Sequence, residues 1–248
     1  MSRSMQGPRN KGGRVQRNKG LPVAAKKMLV EKANKITDIL GLCKGLAVVH
    51  NIGDVQYIVE HSTSLTADPD TKNWLLELTR ENMKDLYISS GWGWEDSEKS
   101  DELWHKAAQY LIVREKNSRE LVGFTHFRFD MDYGCHVLYC YELQVTSSLQ
   151  SGGLGALLMK LLHRIAFAAN MSKVVLTVGR NNKRALKFYF ELGYRVDETS
   201  LCSLTDPQVP SEEDAGEPPV KSDTYLILSL ACRENKENEG KDKRKQNR

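Results

Sequence analysis

Residues 138–156 constrain the chain most: Leu-Tyr-Cys-Tyr-Glu-Leu-Gln-Val runs straight into Thr-Ser-Ser-Leu-Gln-Ser-Gly-Gly-Leu-Gly-Ala. A run rich in aromatic and β-branched residues ends at Val145, polar residues follow, and Gln150, Gly153 and Gly155 open a long apolar-periodic segment, which predicts strand, loop and helix. Glycines at a helix entrance allow close backbone approach, and the first N–H groups of the helix point outward with the positive end of the macrodipole behind them. Such a turn suits a phosphate. No Lys-Ser or Lys-Thr follows, so it is not a P-loop, and the spacing of the dinucleotide fingerprint is absent. Taken alone, the turn is equally consistent with a plain strand-to-helix connection.

The chain of 248 residues has room for one domain with a substantial core and for tails at both ends. Its net charge of +4 is unevenly spread. Residues 1–20 hold six basic and no acidic residues among Gly, Asn and Gln, too little apolar area to order themselves, and are read as a basic disordered arm. Residues 232–248 form a charged tail. Either end could steer the chain to an anionic partner or act as a nuclear address, or both could simply solubilise it. No apolar run approaches the ~18 residues that span a bilayer, no signal peptide opens the chain, and Ser2 stands where myristoylation needs Gly, so a soluble intracellular protein without a membrane partner is expected. The five cysteines include no C-x-x-C pair and the six histidines no metal-ligand spacing, so neither a metal site nor a disulfide framework is expected.

Read in order, residues 22–42 predict an amphipathic helix and residues 55–61 a first strand. Asp68-Pro69 caps a helix that continues to Ser90, with a break near Asn82. Tyr87 and the run Gly91-Trp92-Gly93-Trp94 combine large aromatic area with close backbone approach, as core, lid or peptide grip. Two strands, residues 109–114 and 121–129, flank a polar hairpin. Beyond the second, Asp130 and Asp132 share one face if the chain stays extended, where they could clamp a guanidinium or merely cap the strand end. A helix over 154–170, a strand over 174–178, a helix started by Asn181 or Asn182 that stops at Gly193, and strands at 194–196 and 224–230 complete an α/β pattern: a mixed central sheet of about seven strands with flanking helices. Residues 203–223, with four prolines and a Ser-Glu-Glu-Asp cluster, read as a flexible acidic insertion in a domain spanning 21–231.

The pattern Gln150-x-x-Gly153-x-Gly155-Ala156 resembles the pyrophosphate-binding signature of the GCN5-related N-acetyltransferases. Asn182-x-x-Ala185-x-x-Phe188-Tyr189-x-x-x-Gly193-Tyr194 resembles their second signature. Within that superfamily, Tyr87 with Trp92-Gly93-Trp94, His126-Phe127-Arg128-Phe129-Asp130 and Leu138-Tyr139-Cys140-Tyr141-Glu142 are similar to the type D N-α-acetyltransferases, which acetylate core histones of types 4 and 2A at tails beginning Ser-Gly-Arg-Gly. The resemblance covers residues 24–230. It implies a cleft splayed between the fourth and fifth strands and acetyl-CoA as co-substrate, held by Leu143, Gln144, Val145, Gln150, Ser151, Gly152, Gly153, Leu154, Gly155, Ala156, Thr177 and Asn182. It implies a histone tail held by Tyr87, Trp92, Asp130, Asp132, Tyr141 and Tyr225, with Glu142 as general base, Tyr139 positioning a water and Tyr189 as candidate acid. A monomer of nucleus and cytoplasm is expected, and the charge of the basic arm could give it weak nucleic-acid or nucleosome contacts. Three departures stand out: Gln150-Ser151-Gly152 replaces the more basic residues of some relatives, Asp132 is shorter than the Glu that some carry, and the acidic insertion is particular to this chain.

Chemistry favours an N-terminal acceptor. An α-amino group with a pKa of about 7.7–8.0 is roughly one-tenth neutral at pH 7, a lysine at about 10.4 less than one part in a thousand. Because Tyr141 and Glu142 are adjacent, a regular strand would send them to opposite faces, so a β-bulge is expected there to turn both toward the cleft. Three alternatives stay open: a lysine or small-amine acetyltransferase, a non-catalytic module that binds acetyl-CoA or histone tails, and a nucleic-acid binder acting through the arm.

Overall fold

The computed structural model describes residues 21–45, 48–200 and 224–232. The expected arm 1–20, the insertion 203–223 and the tail beyond Cys232 lie outside the described residues. Among the described residues, strands β1 (Val49–Ile52), β2 (Val55–Thr63), β3 (Gln109–Glu115), β4 (Leu121–Asp132), β5 (Cys135–Val145), β6 (Lys173–Gly179), β7 (Arg195–Val196) and β8 (Tyr225–Ala231) form one sheet in the order β1-β2-β3-β4-β5-β6-β8-β7. Every neighbouring pair is antiparallel except β5 with β6, so the sheet is mixed as expected. The helices are α1 (Val23–Ala33), α2 (Pro69–Ser89), α3 (Asp96–Leu103), α4 (Leu154–Ala168) and α5 (Lys183–Glu191).

Alternation along the strands divides the core in two. Leu111, Val113, Phe127 and Phe129 belong to a large cluster with α1, α4 and α5. Tyr110, Ile112 and Phe124 face the other way, toward Leu75, Leu78 and Leu103 of α2 and α3. Helix α4 buries Leu158, Leu161, Leu162 and Ile165 completely, at roughly 1.5–3 kcal/mol each, which fixes the turn that precedes it. Helix α5 ends in a Schellman motif: Gly193 at φ 93° lets Tyr194 N–H reach the Tyr189 carbonyl and its own N–H reach that of Phe190, seating both tyrosines in the core.

Several sequence expectations need correction. Strand β1 precedes the expected first strand and raises the count from about seven to eight; with only four residues, two of them polar, it carries no clear alternation. Helix α1 stops at Ala33 rather than running to residue 42, because Asn34 turns its side-chain amide to the Phe129 carbonyl and a separate 3-10 turn, Leu40–Cys43, follows. Helix α2 passes through Asn82 unbroken, since Asn82 spends its amide on Gln144 and on the Val145 carbonyl rather than on its own backbone. Its cap is the expected one: Asp68 accepts from Thr71 N–H at 2.8 Å, with Pro69 next.

Candidate active site

The site begins where β5 and β6 part. Their parallel pairing runs from Val137↔Lys173 to Cys140↔Leu176 and stops, although β5 continues to Val145 and β6 to Gly179. Without β1 in the count these are the fourth and fifth strands, so the splay lies where the resemblance implies it. At the same level β5 bulges against β4: His126 pairs with Glu142, Phe127 with Cys140, and Tyr141 is the extra residue. The expected bulge therefore exists. Its consequence is that Tyr139, Tyr141, Glu142 and Gln144 all reach the face covered by α2 and α3, while Leu138, Cys140, Leu143 and Val145 pack into the opposite cluster.

Beyond the bulge lies a groove of about 770 Å³. Leu143, Gln144, Val145, Gln150, Ser151, Gly153, Gly155, Ala156 and Asn182 line it, joined by Tyr189, Arg184 and Lys187 of α5. Gly153 caps α4 at φ 91° and no side chain caps that helix, so its first-turn N–H groups are left to the groove. The other expected cofactor residues sit elsewhere. Gly152 packs against Ile52, where a Cβ would come within 2.6 Å, and its carbonyl accepts from His50 Nε2 at 2.8 Å. Leu154 is buried in the core. Thr177 shares a 2.6 Å hydrogen bond with the Tyr139 hydroxyl, off the groove lining. Asn182, by contrast, is on the groove lining, where its side chain accepts from Ala185 N–H at 3.0 Å and caps α5.

Glu142 is 4% exposed and is not the open carboxylate that a general base suggests. Lys99 Nζ donates to it at 3.0 Å and Gln144 Nε2 at 2.7 Å. Lys99, 7% exposed, also reaches Glu102 at 2.8 Å and the Tyr87 hydroxyl at 3.3 Å, with its charge 5.0 Å from the Tyr87 ring centre. Burial works to lower the Lys99 pKa, but Glu142, Tyr87 and Glu102 together outweigh it and hold the ammonium well above its ordinary value. Burial pushes Tyr87 up to about 12. Next to this cluster, Arg128 lies 4.1 Å from the Tyr141 ring centre, donates to His126 Nε2 and binds the Glu102 carbonyl. Burial holds His126 neutral, its pKa well below the usual imidazole range. Sequence reading did not find Lys99; it sits on an acidic helix, α3, that has no apolar periodicity to announce it.

The expected peptide-side residues gather around the same face. Tyr87 meets Trp92 at 5.1 Å between ring centres, Trp92 meets Tyr225 at 5.9 Å, and Tyr139 meets Tyr141 at 4.9 Å. Strand β4 stays extended through Asp132, so Asp130 and Asp132 share the face of His126 and Arg128, and both act on the Tyr141 hydroxyl. Asp130 is exposed, with Oδ1 accepting from Met131 N–H. Asp132 has a buried Oδ2 that no described group hydrogen-bonds, and burial raises its pKa above the usual aspartate value, with Asp197 and Asp130 adding to the rise and Lys173 opposing it. Tyr189 borders the groove but is itself buried, which pushes its pKa well above the ordinary tyrosine value.

Residues 75–194 match the acetyltransferase (GNAT) family. Among solved structures, an acetyltransferase of the GNAT family from Staphylococcus aureus Mu50 superposes with a TM-score of 0.50 at 14% identity, over 71% of this chain and 99% of that one. Arabidopsis thaliana Naa50, in complex with the bisubstrate analogue CoA-Ac-MVNAL, gives 0.44 at 15%, over 70% and 98%. Nourseothricin acetyltransferase gives 0.38 at 18%, over 51% of this chain and 66% of that one, slightly under two thirds of its length. At 14% identity the first of these likenesses is one of fold.

Proposed function

We propose, on the match of residues 75–194 to the acetyltransferase (GNAT) family, that the chain is an acetyltransferase of that superfamily and that it acetylates the free N-terminal serine of core histones of types 4 and 2A, whose tails begin Ser-Gly-Arg-Gly, with acetyl-CoA as donor. The observation that carries the substrate reading is the acid pair beside Tyr141, above all the buried, unpartnered Oδ2 of Asp132. A carboxylate oxygen withdrawn from water with no donor is costly unless a ligand supplies one, and a guanidinium two residues from the reacting amine is such a ligand.

The groove suits acetyl-CoA. The uncapped start of α4 offers N–H groups to a diphosphate, and the edge of β5 from Leu143 to Val145, released from β6, offers backbone groups to a pantetheine arm. Bound there, acetyl-CoA supplies an activated acetyl thioester. The chain's own residues do the rest. Glu142 accepts, through a water, the proton that the attacking amine loses, and its remaining lone pairs suffice because Lys99 and Gln144 take one oxygen each. Lys99 fixes that carboxylate in direction. Tyr139, tied to Thr177, orients the water, and the backbone N–H of Tyr141 at the bulge faces the developing carbonyl charge. Tyr189 stays protonated at neutral pH because burial raises its pKa, the state required of a donor to the leaving thiolate.

Mass spectrometry of peptides incubated with acetyl-CoA tests the reading. A Ser-Gly-Arg-Gly peptide is expected to gain one acetyl group at its α-amine and an N-terminally blocked copy none. Exchanging the arginine for alanine is expected to cut kcat/KM at least tenfold, since an unpaired buried charge costs about 2–5 kcal/mol and Asp130 is exposed enough to stay near the lower figure. Acetylation of the blocked peptide would transfer the reading to a lysine or small-amine acceptor, equal rates for the two tails would remove the clamp, and binding without turnover would leave a recognition module.

A further inference from the structure

We propose that Arg184, on α5, supplies the positive charge that the glycine turn lacks and grips the diphosphate of the co-substrate; this rests on the acetyl-CoA reading above. Residues 146–156 contain no Lys or Arg. A diphosphate brings at least two negative charges, and a helix terminus offers the equivalent of about half a positive one. The shortfall is met from another element. Across 34 residues of sequence, Arg184 Nη1 donates to Gln150 Oε1 at 2.5 Å and Nη2 to Ser151 Oγ at 3.2 Å. Gln150 in turn donates from Nε2 to the Val145 carbonyl at 3.0 Å, so its amide is a strut between the end of β5 and the guanidinium. Both partners of Arg184 are neutral, and a guanidinium has five N–H donors, so its charge and several donors are left for the groove it lines.

The composition of α5 points the same way. Its first turn has no acidic residue and opens with Lys183 and Arg184, against the macrodipole rule that disfavours cations at a helix N-terminus. A local rule broken without an internal gain marks a functional position, and here an anion in the groove that Arg184 lines would balance its charge and the N-termini of α4 and α5.

The test is calorimetric binding of acetyl-CoA, 3′-dephospho-acetyl-CoA and S-acetylpantetheine to the full chain, to Arg184→Ala and to Arg184→Lys. Arg184 is exposed, so neither variant endangers folding. Arg184→Ala is expected to weaken both diphosphate ligands by the same factor, about tenfold, and to flatten the salt dependence of binding, with Arg184→Lys intermediate. The penalty is expected to vanish for S-acetylpantetheine, which has no diphosphate. A change within twofold for acetyl-CoA, an equal penalty on S-acetylpantetheine, or a penalty confined to the ligand bearing the 3′-phosphate would each overturn the assignment while leaving the acetyl-CoA reading intact. An unaltered chain that binds none of the three would overturn both.

Discussion

Lys99→Met isolates the contact on which the proposed base depends. The side chains of Lys99 and Glu142 are 7% and 3% exposed, so water does not take over when the ammonium is removed, and Glu142 is left with Gln144 alone. Removing one partner of a buried pair costs about 3–5 kcal/mol, a large share of the roughly 5–15 kcal/mol that holds a domain folded. The pH dependence follows from sign. In the unaltered chain the folded pKa of Lys99 lies above its unfolded value, so its contribution is complete below about pH 10 and disappears only as pH rises through the higher folded value. Between pH 5 and 9 the pair therefore adds a constant amount. In Lys99→Met the stranded carboxylate can shed its charge only by taking up a proton, so the deficit should shrink as pH falls. Urea unfolding of the two proteins at pH 8 and pH 5 is expected to give a difference of about 3 kcal/mol or more at the higher pH and a clearly smaller one at the lower. The double variant Lys99→Met with Glu142→Gln should recover at least about 2 kcal/mol at pH 8, because no charge is then stranded at the buried position 142, and Glu102, the other carboxylate partner of Lys99, is 36% exposed and reaches water. A loss under about 1 kcal/mol that is the same at both pH values, with no recovery in the double variant, would refute the buried-pair reasoning.

Two further substitutions separate binding from stability. Asp132→Asn is expected to raise the KM of a Ser-Gly-Arg-Gly peptide at least tenfold and, at the same time, to raise the melting temperature at pH 7: a carboxyl whose folded pKa is raised contributes stability at low pH that is lost as pH rises through that pKa, so at neutral pH the charge is a liability that the amide relieves. A lower melting temperature with unchanged KM would contradict both halves. Gly153→Ala forces a side chain into a backbone at φ 91°, with its Cβ 3.0 Å from His50 Nε2, and should cost about 1–2 kcal/mol in chemical denaturation together with much of the acetyl-CoA affinity. Unchanged stability and affinity would mean that the turn relaxes freely and is no cradle.

What the sequence makes legible is what depends on near neighbours in the chain. The cap at Asp68, the strand and glycine turn from 138 to 156, the extended acids at 130 and 132 and the stop at Gly193 are all set within a few residues of themselves, and the structure has them. The missed parts are set from afar. Helix α3 reads Asp-Ser-Glu-Lys-Ser-Asp-Glu-Leu and buries only Lys99 and Leu103, the first because a carboxylate 43 residues away receives it. Arg184 meets the turn 34 residues before it, and α1 ends where Asn34 finds the Phe129 carbonyl 95 residues on. Thr177 is the converse case: the resemblance gives it to the cofactor, and its neighbour in space is the Tyr139 hydroxyl.

The bulge shows how much one inserted residue organises. Along β5 the residues that enter the large apolar cluster are Leu138 and Cys140, then Leu143 and Val145, a change from even to odd positions that a strand of period two cannot produce without an extra residue between them. In unbroken register from Leu138 and Cys140, Leu143 and Val145 would turn away from that core and Glu142 would point into it with no partner, at a cost of several kcal/mol. Placing the extra residue at Tyr141 avoids both and sets Glu142 opposite Lys99. It also falls one residue past the last contact between β5 and β6, so the parity switch and the opening of the groove occur at a single point in the chain. Apolar burial on one face and an ion pair on the other thus hold a backbone-rich notch that β4 borders and β6 leaves open, and it is there that the proposed chemistry has room to proceed.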